Sequence, residues 1–128
     1  MIRSLALCLF ALPAVAETPM TAEEFDAYTK GRTLTYLANG VPYGIERYMT
    51  GRRVIWSFLD GECRLGSWYQ QGAAICFVYD DEPDDPECWE LHAEGSQIRG
   101  VFVSDGGSTT LYEAQSGDEE LICENFGT

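Results

Sequence analysis

Turn signals are the feature of this 128-residue chain that most restricts its fold. From Gly31 onward, pairs such as Asn39-Gly40 and Asp60-Gly61 recur roughly every 8 to 12 residues, between segments rich in β-branched and aromatic residues. Segments this short favour antiparallel strands joined by hairpins, because parallel strands need crossovers of a dozen or more residues. About eight strands are predicted, at residues 33–38, 41–49, 54–59, 63–69, 73–79, 88–92, 97–103 and 109–114.

A flat sheet of this size would leave two strand edges exposed, and closure of the sheet removes them. The sequence therefore predicts an all-β protein, an antiparallel meander of about eight strands that forms a small barrel or a rolled sheet. A two-sheet sandwich is the alternative.

One short helix is predicted before the strands, over residues 22–30. Thr21 and Glu24 have the spacing of a capping box, and Gly31 provides a stop. Phe25 and Tyr28 fall on one face of this helix. We expect that face to pack into the core, with the helix across one mouth of the barrel.

The N-terminal residues have the pattern of a secretory signal peptide. Arg3 precedes an apolar stretch, and Ala14-Val15-Ala16 is a small-x-small cleavage site. A membrane anchor is less favoured, because the apolar run is shorter than the roughly 20 residues that span a bilayer. We expect a signal peptide at 1–16, a single disulfide-stapled β-domain at 17–128, and a periplasmic or secreted location.

The formal charge of −13 restricts the partners of the chain. A protein this acidic repels nucleic acid and anionic membrane surfaces, and the chain has no basic stripe to override that repulsion. We therefore expect neither nucleic acid nor, after signal cleavage, a membrane as a partner.

The cysteines of the predicted mature domain point to two disulfides. An even number in a small exported domain is typical of an oxidising compartment, whereas the C-x-x-C spacing of zinc or redox sites is absent. A hairpin across residues 80–87 would place Cys76 opposite Cys88, which leaves Cys63 for Cys123. Four cysteines allow three pairings, and the other two stay open.

The segment DDEPDDPE is strongly acidic. Its carboxylates could bind calcium, but the EF-hand pattern is absent and two prolines hold parts of the segment extended. We favour a solvated loop without a metal, which could serve as an interaction loop through Asp80, Asp81, Glu82, Asp84, Asp85 and Glu87.

Catalytic patterns are weak. Alternation along residues 88–92 places His92 opposite Trp89 and Leu91, so we expect it to be exposed. No serine has the nucleophile-elbow pattern, and no glycine-rich nucleotide loop occurs. Glu46, Asp60 and Glu90 could pair as glycosidase acids only if the fold brought them together. We expect no catalytic residues and no cofactor.

Aromatic residues are the candidate lining of a binding pocket. A barrel of this size is either filled by its side chains or holds one small ligand, and a packed core is the simpler interpretation of such residues. The candidates are Trp56, Phe58, Trp68, Phe77, Trp89 and Phe102.

Several short motifs resemble a known pattern: residues 30–34 (KGRTL), 66–68 (GSW), 75–77 (ICF) and 88–91 (CWEL). The chain resembles a group of small secreted proteobacterial proteins of unknown function that share a Gly-x-Trp and two cysteines flanking a loop. The resemblance covers residues 21–101 and implies a lipocalin-like or avidin-like β-domain. It carries over no catalytic residues.

Three functions follow as hypotheses. The leading one is a non-catalytic periplasmic β-barrel that binds a small apolar molecule or a partner protein. The second is an acidic interaction module, such as an inhibitor of a basic periplasmic enzyme, with the 80–87 loop as its contact. The third is a hydrolase, which would require His92 and a carboxylate to meet in a cleft.

Overall fold

The computed structural model describes residue 1 and residues 8–10, 17–115 and 120–126. Most of the predicted signal peptide, including the expected cleavage position after Ala16, lies outside these residues, and the signal peptide stays a prediction. Within the described part of the chain, no helix has the length and apolarity needed to cross a membrane.

The described residues form one helix, α1 (Ala22–Thr29), and eight strands. The strands are β1 (Thr33–Ala38), β2 (Val41–Tyr48), β3 (Arg53–Ser57), β4 (Arg64–Gln71), β5 (Ala74–Tyr79), β6 (Glu87–Glu94), β7 (Gln97–Phe102) and β8 (Thr110–Glu113). Each strand pairs antiparallel with its neighbours in sequence, and β1 also pairs with β8, so the sheet is a closed barrel. The predicted all-β barrel is confirmed, and the closure excludes the two-sheet sandwich.

Hairpin chemistry explains why the strand positions could be predicted closely. Asn39 and Gly40, with φ of 50° and 77°, both occupy the left-handed region that a two-residue turn between β1 and β2 requires. β1 has the predicted bounds, and the ends of the other strands differ from prediction by at most two residues.

α1 packs on one end of the barrel. Its capping box is formed as predicted, with the Glu24 amide donating to the Thr21 hydroxyl at 3.2 Å. Phe25 is fully buried and makes edge-to-face contacts with interior rings. These rings are Tyr48, Trp68 and Phe77, with centroids 5.5, 5.1 and 6.1 Å from that of Phe25. The Tyr28 hydroxyl donates to the Ser96 carbonyl in the β6–β7 turn, so α1 lies across this end.

The C-terminal segment, residues 120–126, packs on the outside of the barrel. The predicted disulfide between Cys63 and Cys123 is present and holds this segment beside β2 and β3. Leu121 joins Ile45 and Ile55, which point away from the barrel interior, in a second hydrophobic cluster. A patch of outer surface on β2 and β3 is thereby removed from water.

The prediction that His92 is exposed is wrong. Its side chain does lie on the opposite face of β6 from Leu91, but only 6% of the residue is accessible. The segment before α1 lies beside β6 and reaches this face: the Met20 amide donates to the Leu91 carbonyl at 2.6 Å, and a Glu17 carboxylate oxygen lies 3.6 Å from His92 Nδ1. Alternation gives the face of a strand correctly but cannot show that another segment covers it.

Candidate functional site

A cavity of about 110 Å³ lies inside the barrel, towards the end opposite α1. Strand connectivity gives this position. The β1–β2, β3–β4, β5–β6 and β7–β8 connections lie at the end of the barrel opposite the β6–β7 turn that α1 contacts. The cavity reaches a residue near each of these four connections: Tyr43, Phe58, Glu87 and Phe102. Phe58 and Tyr43 are partly exposed, so the cavity reaches the surface there. The lining residues are Tyr36, Tyr43, Glu46, Tyr48, Trp56, Phe58, Phe77, Tyr79, Glu87, Trp89, Leu91, Gly100, Phe102 and Leu111.

Strand alternation brings most of these side chains into the interior. On β2, Gly44, Glu46 and Tyr48 point inward, whereas Ile45 points to the outer cluster. A Cβ added to Gly44 would overlap the ring of Trp56. The missing side chain at Gly44 therefore makes room for the indole that forms part of the cavity wall.

Aromatic rings form two facing walls. Tyr43, Trp56 and Phe58 contact one another with centroid distances of 5.3 to 6.0 Å. Trp89 and Phe102 stack at 4.7 Å on the β6–β7 side. In a closed eight-strand order, β2 and β3 are four strands away from β6 and β7, so the two aromatic groups lie across the barrel from each other.

Glu46 is the buried carboxyl group of the cavity, with only 2% of the residue exposed. The Tyr79 hydroxyl lies 3.2 and 3.3 Å from its two carboxylate oxygens and donates to them. Burial raises the pKa of Glu46 well above its ordinary value, and the Tyr79 hydrogen bond opposes that shift. None of the salt bridges between described residues includes Glu46.

Two further tyrosines meet on the cavity wall. The hydroxyls of Tyr36 and Tyr48 are hydrogen-bonded to each other at 2.7 Å. Burial raises the pKa of both phenols, and the negative charge of Glu46 would raise it further. These two groups are therefore neutral at physiological pH, and their oxygens can still bond to a ligand.

The acidic segment 80–87 contributes Glu87 to the lining of the cavity. Arg53 forms a bidentate pair with Asp80, and Arg64 forms one with Asp81. Glu87, at the start of β6, is half-buried and lines the cavity, and its burial raises its pKa. These two ion pairs hold the start of the loop and neutralise part of its negative charge, unlike in a freely solvated loop.

The predicted disulfide between Cys76 and Cys88 joins β5 to β6 at the base of this loop. The two cysteines are direct partners in the β5–β6 register, as the hairpin geometry predicts. Both predicted pairings are thus confirmed. In the described residues, no group of three or more His, Cys, Asp or Glu side chains is placed to hold a metal ion.

The structure separates the predicted aromatic candidates. Trp56, Phe58, Phe77, Trp89 and Phe102 line the cavity. Trp68 lies instead near the α1 end, where its ring contacts Phe25 and is covered by the Arg52 guanidinium at 4.7 Å.

Several cavity residues were missed as pocket residues by sequence reasoning. The predicted lining contains only tryptophan and phenylalanine, although alternation with outward residues gives a signal for the tyrosines at 36, 48 and 79. Tyr43 has no such signal, because it is the extra residue where the β1–β2 register shifts. Those missed are Tyr36, Tyr43, Tyr48 and Tyr79.

The candidate acids for glycoside hydrolysis do not converge. Glu46 lies in the barrel interior, Glu90 on the outer face of β6 beside His92, and Asp60 in the connection after β3. His92 does not line the cavity.

Comparisons with known proteins gave no match: no protein-family model, no curated protein and no solved structure matches the chain significantly. The resemblance to small secreted proteobacterial proteins stays a prediction.

Proposed function

We propose that this chain is an exported, non-catalytic β-barrel protein that binds one small molecule inside the barrel. The observation that carries the proposal is the cavity of about 110 Å³, which has aromatic walls and a single deeply buried carboxyl group. Binding sites typically combine such apolar walls with a few well-placed polar groups.

The size of the cavity limits the ligand. An enclosed apolar cavity of about 150 Å³ is large enough to bind benzene. A space of about 110 Å³ that opens to the surface suits a ligand with one aromatic ring or a short alkyl body, part of which reaches the rim.

Export is supported by the two disulfides, since such bonds are typical of oxidising compartments. A periplasmic location agrees with the predicted signal peptide. It can be checked by fractionating the native host and determining the N-terminus of the protein, which we expect to be Glu17.

Tryptophan fluorescence tests the binding function. Trp56 and Trp89 line the cavity whereas Trp68 does not, so single-tryptophan variants that retain each one should respond differently to a panel of single-ring fragments. We expect emission changes from Trp56 and Trp89 and little change from Trp68.

A cavity-filling variant provides the control. Leu111→Phe adds a ring to the cavity wall and should abolish the response, whereas Tyr112→Phe on the outer face of β8 should retain it. Both variants must first show a wild-type circular dichroism spectrum. A flat response of the wild-type protein to every fragment would refute the proposed function.

The interaction-module hypothesis has less support. Three of its loop carboxylates, those of Asp80, Asp81 and Glu82, are already paired with arginines, and Glu87 lines the cavity. Only the tip of the loop, with Asp84 and Asp85, offers exposed charge without these partners.

A further inference from the structure

We propose that the molecule bound in the barrel is a small organic cation, an ammonium group on a single-ring or short alkyl body, held by Glu46 and the aromatic walls. This inference rests on the proposed function, because it names the chemical class of the ligand for the same cavity.

The charge of the cavity wall is the first argument. The described lining includes two carboxyl groups, Glu46 and Glu87, and no lysine, arginine or histidine. The nearby Arg64 is directed elsewhere: its guanidinium bonds to Asp81 and stacks on the ring of Tyr79 at 4.4 Å. In their ionised form these two groups repel an anionic ligand and attract a cation.

The hydrogen-bonding capacity of Glu46 is the second argument. A carboxylate offers about four acceptor positions, and a tyrosine hydroxyl has one hydrogen to donate. Tyr79 therefore satisfies only a fraction of the capacity of Glu46. An ammonium group, with up to three donors, complements the remainder.

The aromatic walls are the third argument. The faces of aromatic rings carry negative electrostatic potential and attract cations, most strongly in tryptophan. Trp56 lies on one wall and Trp89 on the facing wall, each in contact with a further ring. An ammonium placed between the walls and beside Glu46 would contact both kinds of negative group.

Cation binding should release a proton. Burial raises the pKa of Glu46, so the empty cavity favours its protonated form. A bound cation favours the carboxylate, and the carboxyl proton then leaves to the buffer. The ionisable groups that face Glu46 come from five strands and modify this equilibrium; they are Tyr36, Tyr48, Arg64, Tyr79 and Glu87.

Calorimetric titration with matched probes tests the inference. Benzylammonium, benzyl alcohol and benzoate share a ring and differ in charge. We expect benzylammonium to bind at least about tenfold more tightly than benzyl alcohol, and benzoate not to bind. In buffers of different ionisation enthalpy, benzylammonium should release protons, and its affinity should rise with pH until Glu46 is ionised in the free protein.

Glu46→Gln isolates the carboxylate, because the amide keeps the shape and can still accept from Tyr79. We expect this change to weaken benzylammonium binding by about tenfold or more and to change benzyl alcohol binding by less than about threefold. Glu90→Gln, which removes a carboxylate from the outer face of β6, should leave both affinities unchanged. If Glu46→Gln does not fold, the proton release and pH profile of the wild-type protein still decide the question.

The outcomes separate the two proposals. Equal binding of benzylammonium and benzyl alcohol, blocked by Leu111→Phe, would overturn the cation inference and leave the binding function standing. Tighter binding of benzoate than of benzylammonium would also overturn the cation inference and leave the binding function standing. Binding of none of the probes would overturn both.

Discussion

The Tyr79 hydroxyl lies 3.2 and 3.3 Å from the two carboxylate oxygens of Glu46, although 33 residues separate them in the chain. Glu46 comes from β2 and Tyr79 from β5, and the closed barrel brings both side chains into its interior. This contact places a carboxyl group in a cavity otherwise formed mainly by aromatic rings. Stability, protonation and the proposed ligand binding therefore involve the same pair.

Tyr79→Phe should destabilise the protein. The change removes the hydrogen bond to Glu46 and leaves a buried carboxyl group without its partner, which costs about 1–3 kcal/mol. Urea unfolding at neutral pH measures the loss. Tyr69→Phe, on the outer face of β4, is the matched control and should have little effect. Equal stability of Tyr79→Phe and wild type would show that the hydrogen bond contributes nothing.

Stability should fall as the pH rises above the ordinary carboxyl value of 4.5. Because burial raises the pKa of Glu46, the folded protein retains a proton that the unfolded chain has already lost. The stabilisation from this group is therefore complete below 4.5 and is lost as the pH rises through the folded-state pKa. Half-buried Glu87, whose pKa is also raised, acts in the same direction.

Unfolding midpoints measured across this pH range check the prediction. Glu46→Gln should remove most of the fall in stability with rising pH, and Glu87→Gln should remove a smaller part of it. Glu90→Gln should leave the fall unchanged. Asp80 and Asp81 cannot cause the decline, because arginine partners lower their pKa and so give stability that is lost towards acid pH. A decline that persists unchanged in Glu46→Gln would contradict the assignment.

Removal of each disulfide should have a distinct effect. In the chain-entropy model, the Cys76–Cys88 bond, with a separation of 12 residues, contributes about 3 kcal/mol. The Cys63–Cys123 bond, with a separation of 60 residues, contributes about 4 kcal/mol. Paired Cys→Ala variants and denaturant unfolding measure both values.

The two disulfide variants should also differ locally. Loss of Cys63–Cys123 should expose Ile45 and Ile55 by releasing the C-terminal segment, which hydrogen exchange in β2 and β3 would detect. Loss of Cys76–Cys88 should instead increase exchange at the β5–β6 pairing. Identical exchange patterns would argue against this separation.

Gly44→Ala should disturb the cavity wall. The added methyl group would overlap the Trp56 ring and force it from its position, at a cost of about 1–3 kcal/mol. Thermal unfolding and Trp56 emission in a single-tryptophan background measure the effect. Arg47→Ala, an outward position on β2, is the control and should leave the emission unchanged.

Local signals explain the success of the sequence predictions. Asn39-Gly40 specifies a two-residue turn whatever surrounds it, and the Thr21–Glu24 capping box marks the helix start. Cys76 and Cys88 flank one loop, so the hairpin alone brings them together. Each of these features depends on residues that are close in the chain.

The candidate site was only partly predictable. Five of the six proposed aromatic residues line the cavity, but Trp68 lies in the layer nearer α1. Period-two alternation assigns Trp56 and Trp68 alike to the interior and says nothing about their height along the barrel axis. That height depends on the register and on where Phe25 fills the interior.

The sequence by itself determined the number and order of the strands, the helix and the closeness of Cys76 to Cys88 across one hairpin, because turn chemistry, alternation and cysteine spacing act over short stretches of chain. Only the tertiary structure decided that β1 closes on β8, that Glu46 meets Tyr79 and that the segment before α1 covers His92. These contacts join residues distant in the chain. The curvature and closure of the sheet determine which of them meet, and no local pattern specifies that.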